Sequence, residues 1–497
     1  MKKIQVLLVI ITIIILSVLR FWNLGYSEFI PDETTVMSPI KNGSLFKDNF
    51  LSSQRKGPIQ FLVAYSVNIF GVDPTNEFVY RFPFAVASCV ALIFVFLSLY
   101  SLTNKYSVAL VSTILLGVNG FIVAFGRIVQ YQSFNLLFSF SALYFYSRAL
   151  SPNKSDKYKL INVGIAIFLL FLSTASHWDS IFFLPIFVYL GIKLFVDSKK
   201  NRNLIVRLLI VHIALLSLLF VPLLVVYLKS NFSLDSNQSY FSGRIGVTNL
   251  SFELLSSKIS QYVDKFRFYN PFFFLEVLGA LFILGLFTVK KSWPSLIWLF
   301  FTLLVFIVFV KKPGTHIYNM IIPLSIISAH GFWLLTTLFK KWLVVFPTVA
   351  LLVPLLFFAY QDYLLFIEPS VAYPWEQELI YKYKTPKYAY NVLANNVIGF
   401  PFRRNWSEIN KTVNNDISSK NSTNDKYTFV TNEVTSISSY YLDIPFGYSK
   451  NMYAIGIKNP YSTVQDYSFP QYHNKTTIAK IQFNGTMSAR VYTVTGN

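Results

Sequence analysis

IQVLLVIITIIILSVLRFWNLGYSEFIPDETT, residues 4–35, opens on a nearly unbroken apolar run, Ile4–Leu19, and ends beyond two adjacent acids, Asp32 and Glu33. A bilayer is crossed by about 20 apolar residues, with 17–25 usual, so the run reads as a spanning helix. The basic start, Lys2-Lys3, followed by an apolar stretch also fits a secretory signal, but no Ala-x-Ala-like cleavage site follows, which favours a retained first helix. Acids just beyond such a helix, in an apolar chain, need a task to hold them there, and proton abstraction beside a lipid-borne substrate is one such task.

Composition extends this reading to the whole chain. Of 497 residues, 54% are hydrophobic and 13% charged, where a soluble domain carries about 25% charge. The chain is therefore expected to be an integral membrane protein, with the lipid bilayer as its first partner. The 50 Phe and 31 Tyr suit bilayer interfaces and the lining of a cavity for a long lipid. The net charge of +20 comes largely from Lys and Arg in short loops between apolar runs. That is positive-inside topology, and no nucleic-acid partner is expected. The single Cys89 allows no disulfide within the chain.

Eleven candidate spans are present: Ile4–Leu19, Phe82–Leu102, Ser107–Phe125, Tyr131–Tyr146, Leu160–Ala175, Ile181–Phe195, Leu204–Leu228, Phe272–Val289, Trp293–Val310, Ile317–Phe339 and Trp342–Tyr360. With the N-terminus cytoplasmic, the inner loops collect most of the Lys and Arg. Only Arg127, Lys311 and Lys312 fall in short outer turns, against the rule. The first outer loop, residues 20–81, holds the acids and a short apolar stretch, Pro58–Phe70, expected to lie at the interface. Lys229–Pro271 forms a second outer segment. From Glu368 onward Asn, Ser and Thr increase, and a soluble domain is expected over 366–497, after a membrane domain over 1–365. Alternation predicts strands at Tyr427–Thr431 and Arg490–Val494, and Trp375–Asn391 reads as partly helical despite Pro386. Asn-x-Ser/Thr triplets stand at Asn405, Asn410, Asn421, Asn474 and Asn484. The expected fold is an α-helical polytopic protein of the plasma membrane with a C-terminal extracytoplasmic mixed α/β domain.

A series of short motifs runs in order: LRFWNL (19–24), PDE (31–33), KGPIQF (56–61), YRFP (80–83), FGRIVQY (125–131) and HIYNMIIP (316–323). In this order and topology the chain resembles, over about residues 1–340, the GT-C superfamily of polytopic glycosyltransferases. Within it the likeness is to the dolichyl-phosphate-mannose–protein mannosyltransferase and aminoarabinose transferase branch. The resemblance implies transfer of a sugar from a polyprenyl-phosphate carrier to a hydroxyl of a protein or glycolipid acceptor on the external face. It implies Asp32 as catalytic base and inversion at the anomeric carbon. The chemistry agrees: a carboxylate takes the proton of the attacking alcohol, and cations stabilise the departing phosphate.

Each site residue also has a structural reading. Asp32 and Glu33 suit the first turn of a helix, where negative charge is favoured. Glu33 orients the base or meets a sugar hydroxyl. Arg127, with Tyr131 four residues on, is a phosphate clamp or an arginine snorkelling at the interface. Arg55 or Lys56 faces the carrier phosphate, the inserted Gly57 leaving open which; both also read as a solvated basic loop. Arg81 is a substrate contact or an ion-pair partner for the first loop. His316 and Tyr318 stand where relatives commonly carry Arg-Tyr, and Lys312 and His316 are expected near the donor phosphate. His177, beside Asp179, touches substrate or is structural. The five His never fall at metal-ligand spacing, so no cofactor is required and no metal ligand is assigned. A divalent ion shared by Asp32, Glu33 and a distant histidine is compatible with the chain, though a monophosphate donor has less need of one.

Two other classes compete. A lipid or solute transporter usually shows matched halves and mid-membrane polar groups, whereas here the charges cluster at one face. A non-catalytic assembly protein would tolerate loss of Asp32.

Overall fold

The computed structural model describes residues 2–497 except 48–49, 54–55, 152–153, 198–251 (apart from six isolated helical positions), 312–313, 381–382, 388–396, 421–425, 463–467, 473, 484–485 and 496–497. The expected span Leu204–Leu228, most of the first half of Lys229–Pro271, and Asn421 and Asn484 lie outside the described residues. The chain divides into two compact units. One comprises Met1–Trp22, Ser44–Val63 and Pro83–Leu364; the other comprises Asn23–Gly43, Ala64–Phe82 and Leu365–Asn497.

Among the described residues, seven helices are long and apolar enough to cross a bilayer: Lys3–Phe21, Glu77–Thr103, Asp156–Ser176, Trp178–Asp197, Val289–Phe309, Gly314–Leu338 and Trp342–Phe366. An eighth is counted if Leu255–Tyr269 and Phe274–Leu286, bent by 119°, form one broken span. This is a multi-pass membrane protein. On the first helix Ile4, Leu7, Ile11, Ile14 and Val18 are exposed at spacings of three and four, forming a lipid-facing stripe. Its buried face carries Leu16, Leu19 and Arg20.

The count of eleven is not reached among the described residues: Leu204–Leu228 lies outside them, and polar side chains alter three of the other expected spans. The expected span Ser107–Phe125 is two helices, Tyr106–Gly117 and Gly120–Phe125. Asn119 breaks it: its Oδ1 accepts the Ile122 amide at 3.4 Å, while Asn270 Oδ1 takes the Gly120 amide at 2.7 Å. Phe272–Val289 is the second arm of the bent pair, which turns at Asn270-Pro271, where proline supplies no amide hydrogen. The expected Tyr131–Tyr146 is the helix Gln132–Ala149, too polar to count as a span by hydropathy. Its polar residues face protein: Ser173 Oγ donates to Asn135 Oδ1 at 2.6 Å, and Ser139 and Ser173 hydroxyls stand 2.7 Å apart. Such bonds join neighbouring helices where water is absent. Gly331 and Gly285 let two helices cross closely, since a Cβ on either would lie 2.0 or 2.2 Å from the Leu281 or Ile327 carbonyl oxygen.

The second unit holds the helix Pro31–Lys41 and a four-stranded mixed sheet in the order Tyr427–Thr431, Asn451–Ile457, Thr486–Thr495, Lys475–Phe483. The first pair is parallel and the other two are antiparallel. Both predicted strands are present. Within Trp375–Asn391, of which 381–382 and 388–391 lie outside the described residues, no helix occurs among the described ones, and Leu379–Ile380 pairs antiparallel with Tyr383–Lys384. Tyr383 and Thr385 favour extended backbone, and Pro386 gives no amide hydrogen for a helix. On the helix Trp406–Ser419, Trp406, Ile409 and Val413 are buried at helical spacing. Asn405 is also buried, its Nδ2 donating to Ser488 Oγ at 3.1 Å, so its amide is not presented for glycosylation.

Glu28 starts that helix from a distant part of the sequence. Its buried carboxylate accepts the backbone amides of Arg404, Asn405 and Trp406 at 2.8, 2.6 and 3.3 Å. Three charge-assisted bonds at a helix N-terminus oppose the desolvation of the acid. Glu28→Ala leaves those amides without their acceptor, and a loss of about 2–4 kcal/mol is expected. Chemical unfolding of the detergent-solubilised chain, compared with wild type, measures it.

Candidate active site

In the second unit, Pro31 occupies the first position of its helix, where a fixed φ and a missing amide hydrogen cost nothing. Asp32 follows, half-buried, in the first turn. Glu33 is fully buried and its Oε2 accepts the Ile30 amide at 3.0 Å, closing the helix start. The same carboxylate receives Arg81 side-on: Nε donates to Oε1 at 2.8 Å and Nη2 to Oε2 at 2.7 Å. Arg81 spends its other hydrogens on the carbonyls of Leu24 (3.0 Å), Ser27 (2.7 Å) and Glu28 (3.0 Å). All five donors of the guanidinium are therefore directed at the loop 24–33. This geometry fits the ion-pair reading of Arg81, and it places Glu33 beneath Asp32 as a fixed support.

The first unit gathers the cations. Lys56 is buried, and Gly57 accounts for its position. A Cβ on Gly57 would lie 2.0 Å from the Ala175 carbonyl oxygen and 2.6 Å from that of Ser176. Only glycine lets this loop press on the end of the helix Asp156–Ser176. Lys56 thereby comes close enough to His177 for its charge to be felt there. Arg127 is also buried, with Nη1 donating to the carbonyls of Leu19 at 3.0 Å and Arg20 at 3.4 Å. A cation on the last carbonyls of the first helix complements its dipole. Burial within protein excludes the snorkelling reading. Arg55 and Lys312 lie outside the described residues.

His177, Tyr131 and His316 come together although they are far apart in sequence. Tyr131 stacks on His177 with ring centroids 3.7 Å apart and planes 10° apart. The Tyr131 hydroxyl lies 3.3 Å from His316 Nδ1. Between the two imidazoles stands Asp179, fully buried, with Oδ1 2.9 Å from His316 Nδ1 and 3.1 Å from His177 Nδ1. The Tyr318 hydroxyl also reaches Asp179. His177 lies in the turn between two spans. Burial holds its imidazole down to about 4, against the opposing pull of Asp179, so it is neutral near pH 7. Asp179 was not assigned to the site from sequence, although the His-x-Asp pairing in one turn was a usable signal. Lys258 and Lys265 were also missed. They lie one above the other, seven residues apart, on the helix Phe252–Tyr269. Lys258 Nζ donates to the carbonyls of Ile307 (2.7 Å) and Val310 (3.1 Å), and Lys265 Nζ to that of Gly314 (3.1 Å), just before His316.

Comparison with known proteins agrees with this architecture. A family model described as dolichyl-phosphate-mannose-protein mannosyltransferase matches residues 58–228. No curated protein sequence gives a match to the chain. Among solved structures, the chain is similar to ArnT from Cupriavidus metallidurans bound to undecaprenyl phosphate, with TM-score 0.55, 11% identity, and 98% of this chain and 97% of that one covered. It is similar to the Archaeoglobus fulgidus oligosaccharyltransferase in its apo form, with TM-score 0.50, 13% identity, and 88% and 64% covered. A further match is the S. cerevisiae protein O-mannosyltransferase Pmt1-Pmt2 complex bound to the sugar donor, with TM-score 0.39 and 17% identity. There the match covers 48% of this chain and about a third (35%) of the yeast chain. The fold is that of the ArnT and oligosaccharyltransferase structures, and the family model over residues 58–228 agrees with the resemblance read from the motifs.

The Glu33–Arg81 pair gives a direct test of the support beneath Asp32. Removing one partner of a buried ion pair costs about 3–5 kcal/mol, whereas an exposed pair is worth about 0–1 kcal/mol. Arg267–Glu276, 49% and 53% exposed, is the internal control. Glu33→Gln is expected to lower unfolding stability by the larger amount and Glu276→Gln by the smaller, in matched denaturant titrations.

Proposed function

We propose that this GT-C-type membrane protein transfers a sugar from a polyprenyl-phosphate carrier to a hydroxyl of a protein or glycolipid acceptor. In this reading the reaction takes place at the external face of the plasma membrane, with the N-terminus cytoplasmic and the C-terminal domain outside. Asp32 takes the proton of the attacking hydroxyl. The hydroxyl oxygen bonds to the anomeric carbon as the carbon–phosphate-oxygen bond breaks, and the electron pair leaves with the lipid phosphate. Lys56 and Arg127 supply positive charge for that phosphate.

The observation that carries the reading is the half-buried Asp32, in the first turn of a helix whose start is pinned by a buried glutamate–arginine pair. A carboxylate acts well as base when its position is fixed by the structure around it. The donor class is supported by the family model over residues 58–228 and by the ArnT structure, which is bound to undecaprenyl phosphate. The charge pattern of the loops supports the orientation.

The test uses purified full-length chain in detergent with a polyprenyl phosphate carrying a radiolabelled sugar. Wild type should move label into acceptor. Asp32→Asn should lose about 10²–10⁴-fold in rate, the usual range for a general base, with its melting temperature unchanged. Transfer by Asp32→Asn at the wild-type rate would remove Asp32 from the chemistry.

A further inference from the structure

We propose that His177, Asp179 and His316 bind a divalent transition-metal ion, which joins the turn at 177–183 to the turn at 314–317. The donor atoms of the three residues all lie within 4.8 Å of one another. Tetrahedral metal–ligand bonds of about 2.0–2.2 Å place neighbouring donors ~3.3–3.6 Å apart, so the observed spacings need to open by only a few tenths of an ångström. Asp179 Oδ1 stands 2.9 Å from His316 Nδ1 and 3.1 Å from His177 Nδ1.

The hydrogen bonding points to a cation independently of these spacings. His177 Nδ1 accepts the backbone amide of Asp179 at 3.2 Å, so it carries a lone pair and no hydrogen. That lone pair faces a carboxylate oxygen at 3.1 Å. Two acceptors at such a distance repel unless a positive centre lies between them. Asp179 is fully buried, and its Oδ1 lies between the Nδ1 atoms of His316 at 2.9 Å and His177 at 3.1 Å, where burial makes an anionic oxygen costly without a positive centre. A metal ion supplies what is missing. It takes one lone pair from Oδ1 and one from an imidazole nitrogen, with no proton required on either.

The donor set selects the class of ion. Two neutral imidazoles and one carboxylate suit zinc and its first-row neighbours, whereas calcium and magnesium prefer all-oxygen sites. The surroundings hold the donors in place: Tyr131 stacks flat on His177, and the Trp178 ring centroid lies 5.0 Å from that of His316. Linear spacing hides the site, because 137 residues separate His316 from Asp179.

The experiment reads metal and not sugar transfer, so its outcome is separate from that of the proposed reaction. Full-length chain in detergent is stripped with chelator, loaded with Zn²⁺, dialysed and assayed by elemental analysis. Co²⁺ serves as the spectroscopic probe. Wild type should retain one ion per chain, show visible Co²⁺ absorption typical of nitrogen and oxygen ligands, and melt at a higher temperature with metal than with chelator. His316→Ala removes the most exposed of the three ligands and should leave the chelator-treated melting temperature unaltered. It should weaken Co²⁺ binding by at least the ~10–100-fold seen when a mere ligand-supporting partner is lost, and abolish the metal-dependent rise in melting. Asp179→Asn should do the same. Substoichiometric metal in wild type would overturn the proposal, as would equal metal content in wild type and His316→Ala.

Discussion

One guanidinium organises the segment on which the candidate base sits. Arg81 reaches Glu33 with two parallel bonds and the carbonyls of Leu24, Ser27 and Glu28 with the remainder. A buried arginine is tolerated only when every hydrogen is used and its charge is met, because the alternative is an uncompensated ion. The chain from Leu24 to Glu33 therefore wraps around a cation and cannot drift without exposing it. Asp32 inherits its position from this wrapping. Glu28 adds a second constraint: its carbonyl serves Arg81 while its carboxylate starts the helix Trp406–Ser419. One residue thus links the loop to the C-terminal part of the same unit.

The helical unit obeys the same rule in a drier setting. Arg20 is completely buried and donates to Ser88 Oγ, to the Leu16 carbonyl and to the Gly117 carbonyl. Lys258 meets carbonyls released around the irregular turn Val305–Phe309, where the ordinary helical ladder is interrupted. In each case a polar group placed among these helices finds a backbone or side-chain partner that the helix geometry leaves free. Where such partners occur the helices break or bend, as at Asn119 and Asn270, and hydropathy ceases to describe the segment. The departures from the expected eleven spans are concentrated at these places.

The candidate site was legible in part. The pair Asp32-Glu33 stood out because acids beside an apolar helix are rare, and the sequence already offered both roles that the structure separates. Glu33 closes the helix and pairs with Arg81, and Asp32 is left half-buried beside it. Gly57 looked like an irregular insertion before Pro58. Its meaning, a loop pressed on the carbonyls of Ala175 and Ser176, depends on a neighbour over a hundred residues away. His177 and Asp179 were noticed together in one turn, but His316 could not be joined to them, since no local spacing connects it to that turn.

Sequence alone determined the features that arise from periodicity and solvent preference. These are the long apolar spans, the onset of the polar C-terminal region, and strands such as Tyr427–Thr431, because local pattern decides them before any long-range contact forms. Tertiary structure alone decided which polar groups meet: Arg81 with the loop 24–33, Glu28 with the amides of 404–406, and two histidines with one aspartate. The physical reason is range. Apolar burial is non-directional and read residue by residue, whereas a hydrogen bond or ion pair needs atoms within about 3 Å and correctly aimed, and only the folded chain brings distant residues that close.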